Sequence, residues 1–406
     1  MYFEKSTLNV LQTGVVFFFN FFAFFTAVSI IEAVVENESH KISISPLAGY
    51  YSAMDRTVRI SLPKQPERKA GCANLVTTCQ TSMIVGGFFL MIFYKNRNKV
   101  TGLDTDTIRL IFAIFSVCSL LAAFIASLLA PPEHPVVRSG ESYMNRLGKI
   151  GSYMLEPNVQ FMILTFVHSG LELSFYSAIF PTCVSFTTLL GDTKFFTAMT
   201  VVLFGVGSVT TGLVFSLIGQ YICLIGRRII LCFGMILHCI AFFIVLETFA
   251  GESSKEKTME VGFLSLSPSV IYTVAILLGI GDTIVNQQCY TLICDIFTPE
   301  ERVNVFAIFR FFQSAAATLS MFYSTQISLS NNILLMISLA MFAMATLSAV
   351  RIPVTLPRNT LEKTFSKTQS MSPVKTVTPE KTVTPTMSPT SAMSPTPEKS
   401  PVVTRL

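Results

Sequence analysis

Long stretches without a single charged residue constrain the fold of this chain more than any other feature of its sequence. Six such blocks cover residues 11–31, 76–94, 110–130, 195–225, 229–246 and 333–350. Three more apolar blocks, at 159–190, 270–291 and 303–324, each contain an acidic or basic side chain. Because about 20 helical residues cross the hydrocarbon core of a bilayer, these blocks predict an all-α membrane protein with about nine transmembrane helices.

The composition excludes several other classes of protein. Only 13% of the residues are charged and the mean hydropathy is +0.59, whereas a soluble domain carries about 25% charged residues. The net charge of +5 is small and lies outside the apolar blocks, so nucleic-acid binding is not expected. The sequence contains no P-loop, HExxH or GxSxG motif, and its four histidines lie in separate segments. We therefore expect no enzyme, no cofactor and no metal site.

The first block resembles the apolar core of a signal peptide because it follows Lys5. It is longer than such a core, however, and no clear small-residue cleavage site follows it. We therefore expect a membrane anchor, preceded by a short N-terminal segment at residues 1–10.

The loops between the blocks predict the orientation in the membrane. Lys and Arg residues are more numerous in the loops at 36–75, 131–158, 227–228 and 295–302 than in the loops on the opposite side. Since basic loops stay in the cytosol, the C-terminal tail is predicted to be cytosolic and, for nine helices, the N-terminus to be outside. Asn37 begins the glycosylation sequon Asn37-Glu38-Ser39, a short motif that chance supplies easily.

The tail at residues 351–406 differs in composition from the rest of the chain. It is rich in Ser, Thr and Pro and cannot bury enough apolar surface to fold, so it is predicted to be disordered. Seven of its Ser and Thr residues precede a proline: Ser372, Thr378, Thr384, Ser388, Ser394, Thr396 and Ser400. These are candidate sites of proline-directed phosphorylation, which would add negative charge, and the alternative is a passive tail.

Polar side chains inside the apolar blocks are candidate site residues because burying them in a membrane is costly. His168, Glu172 and Tyr176 follow each other at intervals of four residues and therefore share one helix face. Asp282 and Asn286 share a face in the same way.

A third block contributes Arg310 and Gln313, one helical turn apart. One base and two acids near the middle of the membrane predict mutual pairing around a polar cavity that binds a solute or couples to protons. The alternative is a buried ion pair that fixes packing and binds nothing. His238 stands alone in its block and is predicted to be a packing residue.

Three segments of the second half resemble the Unc-93-like family of the major facilitator superfamily. Residues 170–183, with Gly-Leu-Glu-Leu-Ser-Phe-Tyr followed by Pro-Thr-Cys, resemble the seventh helix of that family. Residues 278–288, with Leu-Gly-Ile-Gly-Asp and Asn-Gln-Gln, resemble the tenth helix, and residues 306–324 resemble the eleventh. The resemblance implies a major-facilitator-like helix bundle.

The first half departs from the family pattern. Residues 55–70 are charged and contain proline, so helices two to four of the twelve-helix pattern have no counterpart, as in an isoform or a faulty gene model. The predicted organisation after the N-terminal segment is a truncated bundle of three helices at 11–130, a central loop at 131–158, a six-helix bundle at 159–350 and the tail at 351–406.

The resemblance implies two functions in the plasma membrane or an endomembrane. The first is a non-catalytic accessory protein that regulates a potassium channel or assists the trafficking of another membrane protein. The second is a secondary transporter of a small polar or charged solute, with Glu172 and Asp282 as proton or cation sites and Arg310 as the counter-ion. A transporter requires two comparable bundles around a midplane site, so the accessory role is the favoured interpretation.

Overall fold

The computed structural model describes residues 80–92, 105–128 and 143–351, together with six helical positions between 12 and 22. The helices of the three longer ranges are α1 (Gln80–Ile92), α2 (Thr105–Ser127), α3 (Tyr143–Met154), α4 (Pro157–Phe186), α5 (Thr193–Ile225), α6 (Arg227–Thr248), α7 (Pro268–Ile296), α8 (Pro299–Tyr323) and α9 (Leu329–Leu347). Extended pairing in these ranges is limited to two isolated bridges, Thr187 with Thr258 and Phe249 with Val261.

Six of these helices, α4 to α9, are long and apolar enough to cross a membrane. They overlap the six apolar blocks predicted between residues 159 and 350, which confirms a multi-pass helical membrane protein. The shorter apolar helices Gln80–Ile92 and Ala113–Ser127 fall in two further predicted blocks. Most of the block at 11–31 lies outside the described residues, so the count of nine transmembrane helices and the boundaries of the bundles stay predictions.

Proline residues begin three of the membrane helices. Pro157, Pro268 and Pro299 each occupy the first helical turn, where the missing N–H leaves no backbone bond unmade and the fixed φ favours the helix. At the start of α8, the Thr298 backbone N–H and hydroxyl both donate to the Glu301 carboxylate, each at 2.8 Å, in a capping box. The sequence thus specifies where these helices begin.

Helix α4 contains a π-helical segment at Phe175–Ile179. Pro181 follows it, and proline inside a helix lacks the N–H that would bond four residues back. The hydroxyls of Ser177 and Thr182 donate to the carbonyls of Leu173 and Ala178, at 2.5 and 2.8 Å. The π-helical segment changes the register of α4 from Phe175 onward, three residues after Glu172, and the i, i+4 spacing of the sequence did not predict this change.

The membrane helices pack in two groups of neighbours. Helix α7 packs against α5 and α6, while α4 packs against α8 and α9. The backbone of α7 approaches that of α5 so closely at Gly279 that a Cβ there would collide with the Phe204 carbonyl. Small residues at the contact permit such close approach between membrane helices.

The predicted central loop contains a helix, α3, that the sequence analysis did not anticipate. Its residues Ile150, Tyr153 and Met154 recur at helical spacing and pack against a hydrophobic cluster to which α4, α6, α7, α8 and α9 contribute. The opposite side of α3 is exposed at Met144. Helix α3 is too short and too polar to be predicted as a membrane-crossing block from the sequence.

Large apolar side chains cover the outside of the helix bundle. Exposed examples include Leu217, Phe243, Phe311, Phe322 and Phe342. In water such a surface would be costly, but in a bilayer it faces lipid tails. The polar side chains are instead found inside the bundle.

Candidate functional site

A group of polar side chains, called here the polar network, lies among α1, α4, α6, α7 and α8. Its members are Gln80, His168, Ser169, Glu172, His238, Asp282, Asn286, Tyr290, Arg310 and Gln313. His168, Glu172 and His238 are fully buried and Asp282 is 3% exposed. Because ionisable groups inside a membrane cost a few kcal/mol or more, the partners of each group decide what this site can do.

Two histidines and a glutamate form the first arm of the network. The Nε2 atom of His168 lies 3.3 Å from Nδ1 of His238, within hydrogen-bond distance. The other ring nitrogen of His238, Nε2, lies 3.2 Å from Oε1 of Glu172. His238 therefore stands between His168 and Glu172, with one ring nitrogen toward each.

A glycine makes room for the His238 ring. Gly281 on α7 lies against that ring, and a Cβ at position 281 would collide with its Cδ2 and Nε2 atoms. Gly281 directly precedes Asp282 in the chain, so the missing side chain opens the space in which His238 reaches the acidic residues.

Glu172 on α4 and Asp282 on α7 are the two acidic residues of the polar network and are called here the acid pair. Both side chains are buried. An ionised carboxylate in such surroundings is costly unless a donor or an opposite charge contacts it.

Amide side chains surround Asp282. The Gln80 amide of α1 donates to Oδ2 at 2.8 Å, and the Asn286 amide donates to Oδ1 at 2.6 Å. Each carboxyl oxygen of Asp282 thus accepts an N–H bond. Neither oxygen of Glu172 receives an aligned hydrogen bond from a donor in the described residues, so the two acids have different surroundings.

A junction of three polar side chains connects the acid pair to α8. The Gln313 amide donates to Oγ of Ser169 at 2.8 Å and to Oδ1 of Asn286 at 3.3 Å. The Ser169 hydroxyl also donates to Oδ1 of Asn286, at 3.2 Å. The helices α4, α7 and α8 therefore meet at one set of hydrogen bonds next to Asp282.

The last arm of the network contains the predicted counter-ion. The Arg310 guanidinium donates to Oε1 of Gln313 at 2.6 Å and to the Tyr290 hydroxyl. It also lies 5.2 Å from the centre of the Tyr290 ring, a cation–π contact. Along these bonds, Arg310 reaches Asp282 through Gln313 and Asn286.

The structure brings together six of the seven residues proposed from the sequence: His168, Glu172, Asp282, Asn286, Arg310 and Gln313. The seventh, Tyr176, is buried and stacks on the Phe204 ring of α5, with the ring centres 4.0 Å apart. Tyr176 lies in the π-helical segment, whose wider turn breaks the spacing that placed it on the face of Glu172. Asn37 and the seven candidate phosphorylation sites lie outside the described residues.

Several members of the network were missed or misjudged from the sequence. His238 was predicted to be a packing residue, but it lies within hydrogen-bond distance of His168 and next to Glu172. Gln80, Ser169 and Tyr290 were not singled out. The glycine before Asp282 is a signal that a large side chain approaches there, although it does not identify His238.

Several buried polar atoms of the polar network have no hydrogen-bond partner in the described part of the chain. They include Nδ1 of His168, both oxygens of Glu172 and Oε1 of Gln80. Such atoms cost free energy unless water, an ion or a proton satisfies them. Across the same residues, no group of three His, Cys, Asp or Glu side chains could hold a metal ion.

The fold is similar to that of a solved transporter. A crystal structure of the nucleoside transporter NupG matches with a TM-score of 0.50 at 10% identity, over 86% of this chain and 91% of that one. Together with the six apolar helices, this likeness defines an all-helical, multi-pass integral membrane protein with a major-facilitator-like fold.

The sequence identifies the family within that class. A family model described as ion channel regulatory protein UNC-93 matches residues 58–348. Because the match covers most of the chain, this protein belongs to the UNC-93 family, as the three resembling segments predicted.

Curated relatives support the same placement. The UNC93-like proteins MFSD11 of Xenopus tropicalis and Xenopus laevis are each 26% identical, over 286 and 288 residues respectively. Each match covers 65% of this chain and 63% of the relative. The chain thus matches less than two thirds of the length of these relatives.

Proposed function

We propose that this protein is a non-catalytic accessory protein of the membrane, which regulates an ion channel or assists the trafficking of a membrane-protein partner. The observation that supports this role is the match of residues 58–348 to a family described by ion channel regulation. The partner is a membrane protein in the same bilayer, in the plasma membrane or an endomembrane, and a potassium channel is the partner to test first.

The physical requirements of an accessory role are modest. It needs helix faces that a partner can contact within the bilayer, and the outer faces of α4 to α9 carry many exposed apolar side chains. It does not need two bundles that rock about a central site. The polar network would then hold α1, α4, α6, α7 and α8 in one arrangement that the partner recognises.

Removal and return of the protein test this role. Potassium currents are recorded in cells before and after loss of the protein, and again after the full chain is supplied at matched abundance. The accessory role predicts that the currents change on loss and recover with the full chain. Unchanged potassium currents together with a changed uptake of a labelled solute would contradict it.

The polar network favours a second candidate, a secondary transporter of a small polar or charged solute. Glu172 and Asp282 would bind a proton or cation, with Arg310 as the counter-ion and His168, Asn286 and Gln313 as hydrogen-bonding groups. Tyr176 was proposed with them from its spacing. The supporting observation is the set of buried, unpartnered polar atoms beside these residues.

Ligand-induced stabilisation tests the transporter. A solute that binds only the folded protein stabilises it and so raises its unfolding temperature. At a solute concentration of about a hundred times the dissociation constant, the free energy of unfolding rises by about 2.7 kcal/mol. The purified full chain is screened with nucleosides, sugars, amino acids and organic ions. A solute that stabilises the wild type but not Asp282→Asn would support transport, and a screen without any stabilising solute would oppose it.

A further inference from the structure

We infer that the loop between α6 and α7 is anchored in the lipid bilayer by an apolar tip, which consists of Met259, Val261, Phe263 and Leu264. The tip binds the layer of the membrane in which lipid headgroups meet the acyl chains. Such an anchor is a feature of the protein in either of the roles proposed above. Its support is the exposure of the tip and the position of the tip beside the end of α6.

The apolar tip exposes large hydrophobic side chains on a loop, outside the transmembrane helices. Phe263 is 97% exposed and Met259 is 76% exposed, and Val261 and Leu264 are exposed as well. Met259, Val261 and Phe263 occupy alternate positions along the chain. In water, this much apolar surface on neighbouring residues is costly, whereas the interface of a bilayer covers it without that cost.

Backbone hydrogen bonds fix the position of the loop at one end of the helix bundle. The Thr258 N–H donates to the carbonyl of Phe186 at the end of α4, and the Thr188 N–H donates to the Thr258 carbonyl, both at 3.0 Å. The N–H of Leu329, at the start of α9, donates to the Gly251 carbonyl at 2.8 Å. The tip therefore extends from a loop that is bonded to the ends of two other helices.

The end of α6 sets the depth of the tip. The Gly262 N–H donates to the Thr248 carbonyl at 2.9 Å, and the Leu264 N–H donates to the Glu247 carbonyl at 2.7 Å. A Cβ at position 262 would collide with the Glu247 carbonyl oxygen, so glycine permits this close approach. Phe263 lies between Gly262 and Leu264 in the chain and is therefore level with the last turn of α6.

The lipid-facing side of α6 ends at that same turn. Exposed apolar side chains recur along one side of α6 at intervals of three or four residues, at Ile229, Phe233, Ile236, Ile240 and Phe243. Glu247 occupies the next position of this series, and a charged group at the end of a transmembrane helix reaches the polar interface. The tip is therefore continuous with a lipid-facing surface, at the depth where aromatic side chains are enriched.

The charged residues of the loop limit how far the tip inserts. Glu256 and Glu260 are exposed, and Lys255 pairs with Glu252 at 3.2 Å. Ionised groups are costly in the hydrocarbon core, but next to the headgroups they stay hydrated. The tip therefore reaches the interface of the bilayer and does not enter its core.

A second protein is the other partner that could cover the tip. Specific protein interfaces take about 20–30 residues from each side, whereas the tip presents four exposed apolar residues. Charged side chains, including Glu256 and Glu260, border these residues. A lipid surface accepts a small apolar tip with charged neighbours, so lipid is the partner that fits.

Tryptophan fluorescence tests the anchor, because the chain contains no Trp and an introduced indole is then the only one that emits. Phe263→Trp is made in the full chain, which is reconstituted in lipid nanodiscs that leave both membrane faces open to water. We expect a blue-shifted emission that iodide in the buffer does not quench. Lipids brominated near the top of their acyl chains should quench it several-fold more strongly than they quench Glu256→Trp.

Two control variants calibrate this measurement. Phe243→Trp lies on the lipid-facing side of α6 and reports contact with lipid, whereas Glu256→Trp lies at an exposed position of the same loop and reports contact with water. If Phe263→Trp is quenched by iodide as strongly as Glu256→Trp, the inference is overturned. Protection of Phe263→Trp from both quenchers would also overturn it, because protein would then cover the tip.

A further variant tests how the depth of the tip is set. Gly262→Ala, combined with Phe263→Trp, places a methyl group against the Glu247 carbonyl and should displace the tip. We expect the ratio of lipid quenching to iodide quenching to change in protein that remains folded. A ratio equal to that of Phe263→Trp alone would contradict the role of α6 in placing the tip.

Discussion

At the residue scale, the site depends on space as much as on polar groups. His238 reaches Glu172 because position 281 has no side chain, and a Cβ there would collide with the imidazole ring. Small adjustments would not make room for a methyl group at position 281, since the Gly234 backbone carbonyl also lies close to it. The packing of α6 on α7 and the position of His238 beside Glu172 therefore depend on the same glycine.

Gly281→Ala is expected to destabilise the protein because the added methyl group overpacks the space of the His238 ring. The expected cost is about 1–3 kcal/mol, as for other overpacked interiors. Thermal unfolding of the purified protein measures it. Gly148→Ala is the matched control, because a Cβ at position 148 has no neighbour within 4 Å. Equal unfolding temperatures for the two variants would show that the ring moves aside freely.

Burial in an apolar block was enough to single out ionisable residues from the sequence. Glu172, Asp282 and Arg310 were singled out because an ionisable group in an apolar block is costly wherever it points. Their partners were not predictable in the same way. Gln80 and Asp282 are 202 positions apart, and His168 and His238 are 70 apart, so these pairs follow from helix packing and not from spacing along one helix.

At the scale of elements, α7 connects α1 to α8 within the polar network. It contributes Asp282, Asn286 and Tyr290, and its side chains bond with α1 and α8. The approximate limits of α7 and the other membrane helices were predictable from the apolar blocks of the sequence. The π-helical segment of α4 was not, since it depends on how the chain accommodates Pro181 inside the bundle.

The contact between α1 and α7 leads to a prediction about Gln80. Gln80→Leu keeps a similar volume but removes the amide that donates to Asp282. Loss of a hydrogen bond to a buried charged group is expected to cost about 1–3 kcal/mol. Thermal unfolding is again the measurement, and Gln326→Leu is the control because Gln326 is exposed and donates to its neighbour Thr325. A Gln80→Leu variant as stable as this control would show that Asp282 does not need α1.

At the scale of the whole molecule, the chain combines a membrane domain of the UNC-93 family with a tail of different composition. Of the tail and the segment before residue 80, the structure describes only residue 351 and six positions between 12 and 22. The roles of both segments therefore stay predictions. The family match and the fold were predictable from the order of the motifs at 170–183, 278–288 and 306–324. The number of helices in the first half was not, because residues 55–70 interrupt the pattern.

The Ser/Thr-Pro sites of the tail give a prediction for the intact protein. Replacing all seven sites by alanine, Ser372, Thr378, Thr384, Ser388, Ser394, Thr396 and Ser400, removes the hydroxyls that phosphorylation would charge. A regulatory tail predicts that the amount of protein at its membrane or its effect on potassium currents changes. Surface labelling and current recordings measure both. A variant that equals the wild type in both would support a passive tail.

We expect the acid pair to serve the function of the protein and not its packing alone. The test supplies Glu172→Gln at matched abundance to cells that lack the protein. Gln retains the shape of Glu172 but cannot release a proton, so we expect normal abundance and no recovery of the potassium currents that the wild type restores. Full recovery of the currents by Glu172→Gln, or an equal loss of abundance and currents, would contradict it.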